Sequence, residues 1–137
     1  MDTTDTKALS RQFYEAYDRN DRQSLVRLLA ADCVVHLPGA PGPLDRATFL
    51  QISALFADAF SDSRTTFEDQ IAEKDTVVTR WVWQITHTGT FQGIPPTGKR
   101  VSLLGVTINR FAHGEIVEQR IFFDQLSLVQ QLGPRSP

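Results

Sequence analysis

The sequence predicts an α+β layer in which helices cover one face of a curved, mainly antiparallel sheet. Up to residue 60 the apolar residues recur at helical spacing in three stretches, interrupted by one short β-branched run. Beyond residue 62 the period changes to two and stays there until residue 123. The short polar turns EKD and AHGE stand between period-two runs, as turns joining antiparallel neighbours do.

Residues 6 to 18 place Leu9, Phe13, Ala16 and Tyr17 on one stripe of a first helix. Asn20 and Asp21 offer N-caps for a second, carrying Leu25, Val26, Leu28 and Leu29 and ending near Ala31. CVVHL is a short strand bounded by Asp32 and by the irregular loop PGAPGP. Asp45 caps a third helix from Arg46 to about Phe60, with Leu44 and Phe49 as its hydrophobic staple and Phe49, Ile52, Phe56 and Phe60 on one face. Strands are expected over 64 to 72, 76 to 87, 100 to 111 and 116 to 123, the last two joined through His113-Gly114, a pair suited to positive φ. QLSLVQQLG makes a short closing helix that stops at Gly133, and residues 134 to 137 are read as a loose tail. Helices on one side of a bent sheet leave a cone whose open end admits a ligand.

A chain of 137 residues, 41% hydrophobic and 22% charged, suits a single domain with a substantial core. Its net charge of -2 offers no excess of cations for phosphates, so nucleic acid is not an expected partner. Cys33, the one cysteine, lies in the apolar run ADCVV and reads as a small buried hydrophobe. No apolar run approaches the ~20 residues of a membrane span, and MDTTDTKAL lacks a signal-peptide core, so no membrane association and a cytoplasmic location are expected. His36, His87 and His113 show no close ligand spacing, so no metal is expected. GxSxG, GxGxxG and P-loop patterns are absent as well.

The stretch RIFFDQL carries the sharpest question. Strand alternation sends Arg120, Phe122 and Asp124 to one face and Val117, Gln119, Ile121 and Phe123 to the other. On a concave face Asp124 would be desolvated and able to exchange a proton near neutral pH. Equally, it precedes a helix, where Asp is a favoured cap. Along the neighbouring strand, Thr79, Trp81, Trp83, Ile85 and His87 share a face. The two indoles either line a cavity for a flat ligand or fill core, and His87 either acts on a substrate or is a hydrogen-bonded structural residue. His36, in an apolar strand, is open to the same two readings.

The run THTGTFQGIPPTGKRVSLLG, then INRFAHGEIVEQ, then Asp124 before QLSLVQQLG, resembles the SnoaL-like polyketide (ester) cyclase family of the NTF2-like fold. FYEAYDRND, DCVVH and LFADAF extend the resemblance over nearly the whole chain. It implies a cone-shaped domain, often a homodimer or homotetramer through its sheet, that binds a small hydrophobic substrate. It also implies ring closure by intramolecular aldol condensation without a cofactor, with an aspartate matching Asp124 as acid/base. His87, Asn109 and Tyr14 or Tyr17 are then candidates to hold the enolate, and His36, Trp81, Trp83, Arg120 and Phe122 to line the site. An Arg120 sharing that site would lower the pKa of Asp124. Two alternatives stay open: a cofactor-free epoxide hydrolase or lyase on the same scaffold, and a non-catalytic binding or dimerisation module.

Overall fold

The computed structural model describes residues 2–133, so the expected tail at 134–137 lies outside the described residues. The elements run α1 (Thr3–Asp18), α2 (Arg22–Leu28), β1 (Leu29–His36), α3 (Arg46–Ala59), β2 (Phe60–Glu73), β3 (Thr76–His87), β4 (Arg100–Ala112), β5 (Glu115–Phe123) and α4 (Gln125–Gln131). The five strands form one mixed sheet in the order β1-β5-β4-β3-β2. β1 lies parallel to β5 and the other pairs are antiparallel. Helices α1 and α3 lie against the sheet, giving the expected α+β cone.

Each of the four helices among the described residues starts from an aspartate. Asp2, Asp21, Asp45 and Asp124 accept the N–H of Asp5, Ser24, Thr48 and Ser127, respectively, satisfying a donor that has no partner within the helix. Leu44 and Phe49 both pack in or against the core, as the staple requires. The turn at His113-Gly114 has φ of 52° and 80°, so both central residues are left-handed, as tight hairpins demand.

Two boundaries differ from expectation. β1 begins at Leu29 rather than Cys33, because α2 ends directly into extended backbone at Leu29 and the fully buried Leu29 pairs with Ile116 of β5. Tertiary pairing here overrides the helical propensity of LLAA. β2 begins at Phe60, pairs with His87 and Thr86, and passes through an irregularity between Ser61 and Arg64 where Asp62 has φ 51°. That bulge bends the strand and brings Ser63 and Thr65 beneath the end of α1.

The concave face carries Thr79, Trp81, Trp83, Ile85 and His87 from β3, with Leu103, Gly105, Thr107 and Asn109 from β4, all buried. Gly105 stands opposite Trp81 in the ladder, and a Cβ there would lie 2.1 Å from the indole Cη2. The absence of a side chain at 105 lets the Trp81 ring lie flat across β4. Gln119 of β5, fully buried, donates to Asn109, which donates to Ser10 of α1, so a polar ladder ties helix to sheet.

Candidate functional site

Between α1, α3 and the inner sheet lies a chamber of about 540 Å³. That volume falls in the range of small-molecule sites. Phe13, Tyr14 and Tyr17 of α1, Phe49, Ile52 and Phe56 of α3, and Trp81 and Trp83 of β3 form its walls. Ile121 and Phe123 of β5 close one side. The loop Leu37–Pro41 and Gln125, at the start of α4, form the rim, where the Gln125 amide donates to the Pro38 carbonyl at 2.7 Å. Gly39, with φ 83°, passes so close to that amide that a Cβ would meet it at 2.6 Å.

Few polar groups interrupt this lining. The Trp81 indole N–H donates to Thr107 Oγ1 at 2.9 Å, and the same oxygen is paired with the Tyr14 hydroxyl. Thr107 can therefore pass its own hydrogen to Tyr14, freeing the phenolic hydrogen for an acceptor in the chamber. Tyr17 is hydrogen-bonded to Ser53, and burial pushes its pKa up to about 12. Burial raises the Tyr14 phenol still further. Both phenols stay protonated through the neutral range, as donors to a carbonyl or enolate oxygen must.

Tyr17, Phe56 and Trp83 also line a second, smaller cavity of about 160 Å³, on the side of the β2 bulge. Asp18 opens onto it, half-buried at the end of α1. Its Oδ1 accepts from Ser63 Oγ at 2.6 Å and Thr65 Oγ1 at 3.1 Å, and its Oδ2 accepts from Thr65 N–H at 2.8 Å. Burial raises its pKa above the usual aspartate value, partly offset by those hydrogen bonds. Ser63 in turn accepts the Trp83 indole N–H at 2.8 Å, so Asp18 anchors one wall of the chamber.

Of the residues singled out in the sequence, Tyr14, Tyr17, Trp81 and Trp83 converge on the chamber. The others stand elsewhere. His87 is fully buried: its Nδ1 accepts from Thr97 N–H at 3.2 Å and its ring packs on Phe60, so it fastens the loop that follows β3. Asn109 is committed to Ser10 and Gln119. His36 and Arg120 are directed to the outer face, where both contact Glu118, at 3.1 and 3.4 Å, and Phe122 is 52% exposed on that face. The concave side of β5 carries Gln119, Ile121 and Phe123, so the face anticipated to hold Arg120 and Phe122 against a ligand is the convex one, while Asp124 lies past the end of β5 as the cap of α4. With Arg120 outside the chamber and paired with Glu118, its charge has no bearing there.

Asp124 itself is exposed, and its Oδ1 accepts from Ser127 N–H at 3.1 Å. Two traits together would mark a mere binding module: a filled cone and an Asp124 bonded only to the helix start. The second holds, whereas the cone is open. Sequence reasoning missed Thr48, Ser53, Thr65, Gln125 and the Leu37–Pro41 rim. These come from α3, β2, the start of α4 and the loop after β1, and only that Pro/Gly loop carried a local signal.

The profile of the family described as SnoaL-like polyketide cyclase matches residues 7–132. Among solved structures, IdmH of Streptomyces antibioticus, provisionally described as a polyketide cyclase, is 32% identical, with TM-score 0.85 over 94% of this chain and 99% of that one. AclR of Streptomyces galilaeus, provisionally described as a hydroxylase, is 28% identical, with TM-score 0.88 over 99% of this chain and 87% of that one. A SnoaL-like protein of Jannaschia sp. CCS1, at 19% identity and TM-score 0.86 over 96% of this chain and 94% of that one, shares the fold. No curated protein matches in sequence. Among the described residues, no helix is long and apolar enough to cross a membrane.

Proposed function

The chain belongs to the SnoaL-like polyketide cyclase family, and from that premise we propose that it closes a ring in a hydrophobic, polyketide-like carbonyl compound, without a cofactor, by aldol-type acid/base chemistry. The observation that carries this reading is the open chamber, apolar on nearly every side, with two phenols in its wall that burial keeps protonated at neutral pH. Apolar walls bind and fold the substrate, holding two of its carbons near one another and lowering the entropic barrier to ring closure. Tyr14 and Tyr17 donate to the carbonyl oxygen whose enolate forms.

Asp124 takes the proton. It stands between Phe123 and Gln125, both of which line the chamber, and among the described residues its Oδ2 carries no hydrogen bond. A carbon between two carbonyls, presented at the rim, loses its proton to that oxygen. The enolate carbon attacks the second carbonyl, a carbon–carbon bond forms, and the new alkoxide takes a proton back from Asp124. The test is solvent exchange: a naphthyl β-keto ester in D2O should exchange its C2 hydrogens faster with the wild type than with Asp124→Asn or Tyr14→Phe. Equal exchange by wild type and Asp124→Asn removes Asp124 from the mechanism.

A second reading has an observation of its own: among the described residues, no carboxylate or imidazole lines the chamber. Binding of the ester with no accelerated exchange by the wild type would identify a small-molecule binding module. The description of AclR adds one product to look for, since hydroxylation adds an oxygen to the product mass and ring closure does not.

We further propose that the convex face seats a second copy of this chain. Val82, Leu104, Val106, Ile108 and Phe122 are neighbours there through the β3–β4–β5 register, with Leu104 71% exposed. Charges of both signs border the patch, Arg80 with Asp69 and Glu118 with Arg110, so two copies related by a twofold axis oppose unlike charges.

A further inference from the structure

The hydroxyl of Thr65, in the chamber wall, has its hydrogen assigned by its partner. Its partner is a carboxylate, Asp18, which can only accept, so Thr65 Oγ1 donates to Asp18 Oδ1 at 3.1 Å. The Thr65 backbone N–H is held by the other carboxylate oxygen at 2.8 Å, and Ser63 supports the first at 2.6 Å. Three donors therefore fix the carboxylate, and the carboxylate fixes the direction of the Thr65 hydroxyl. Thr65 lines the chamber, and its oxygen has only lone pairs left to offer a ligand. Tyr14 and Tyr17, by contrast, keep their protons and are suited to donate.

We infer that the chamber selects a carbonyl compound that also bears a free hydroxyl, the hydroxyl donating to Thr65 Oγ1 while a carbonyl accepts from a tyrosine. This rests on the reading of the chamber as a carbonyl-ligand site and names the class more narrowly: hydroxylated ring systems over their ethers or deoxy analogues. Asp18 acts through Thr65 and is a positioning residue. An isolated acceptor in an apolar wall discriminates because a ligand without the donor leaves the oxygen desolvated and unpaired.

Trp81 and Trp83 line the chamber and are the only tryptophans of the chain, so quenching of their fluorescence reports occupancy directly. The probes are 2-hydroxyanthraquinone and 2-methoxyanthraquinone, which share their carbonyls and differ in the hydroxyl hydrogen. The wild type should bind the hydroxyl compound about fivefold more tightly, the discrimination of one neutral hydrogen bond. Thr65→Val, which keeps the branched shape and the backbone N–H to Asp18, should bring the ratio to one, with methoxy affinity rising because no oxygen is left unpaired, and Thr65→Ser should restore the preference. Absence of a preference in the wild type overturns the inference, and so does its survival in Thr65→Val, which would mean that methyl bulk is what matters. Failure of both probes to bind the wild type instead overturns the chamber as a carbonyl-ligand site, and this inference with it.

Discussion

Replacing Gly105 by alanine puts one methyl group where the Trp81 indole lies. The added Cβ would sit 2.1 Å from Cη2, 2.3 Å from Cζ2 and 2.6 Å from Cζ3 of that ring. Ordinary contact begins near 3.4 Å, so the ring must retreat by more than an ångström. It cannot slide freely, because its N–H is held at 2.9 Å by Thr107, which also holds Tyr14. Overpacking of this kind costs about 1–3 kcal/mol, and losing a buried hydrogen bond adds about 1 kcal/mol. The expected destabilisation is therefore about 3 kcal/mol, or roughly 10 °C in Tm for a domain of this size. Urea unfolding followed by tryptophan fluorescence measures it. Because the displaced ring intrudes on the chamber, affinity for 2-hydroxyanthraquinone should fall as well. A variant with wild-type midpoint and wild-type affinity would refute the view that Gly105 exists to seat the indole.

Asp124→Ala should lose about 1 kcal/mol through the missing α4 cap, whereas Asp124→Asn, an equally good cap, should unfold within a few tenths of a kcal/mol of wild type; equal midpoints for all three chains would show that the cap contributes nothing. Asp18 has a pKa raised on folding by burial, so its ionisation opposes folding, and its contribution declines as pH rises from the unfolded value of 3.8 through the folded one. Asp18→Asn removes that decline, so the stability of the variant relative to wild type should climb with pH across this window in urea melts; a flat difference contradicts the assignment. Leu104→Glu combined with Phe122→Glu should turn a dimer into a monomer in sedimentation velocity without lowering the unfolding midpoint of the monomer, and an unchanged sedimentation coefficient removes the convex face as the contact.

Legibility followed the locality of the cause. β3 was readable to both ends because strict alternation from Thr76 to His87 is bounded by a polar turn and a Gly loop, all of it local. α3 was readable because its cap and staple, Asp45 with Leu44 and Phe49, are sequence neighbours. β1 was not, since LLAA favours helix on its own and becomes strand only through Ile116, a distant partner. The inner face of β5 is a matter of balance: Ile116, Ile121 and Phe123 are its apolar set, and Arg120 and Phe122 mark the solvent side. The charged residues of this strand lie on the face turned to solvent, because the more apolar set is the one a cone encloses. The Asp18–Ser63–Thr65 cluster was hidden for a different reason: it needs the bulge near Asp62 to bring β2 under the end of α1.

The parallel pairing of β1 with β5 has a consequence for how the chain is made. Apart from a local bridge between Val35 and Leu44, residues 29–36 find their strand partners at residues 116–120, so the first strand must wait for most of the domain to leave the ribosome. Until then the aromatic faces of α1 and α3, which meet in the finished domain where Phe13 stacks on Phe49, lack the far wall of the sheet. Such long-range closure places folding on the slow side, in milliseconds to seconds, with sticky surface exposed meanwhile. A nascent chain arrested before residue 116 should therefore be bound by holdase chaperones, and one released after α4 should not.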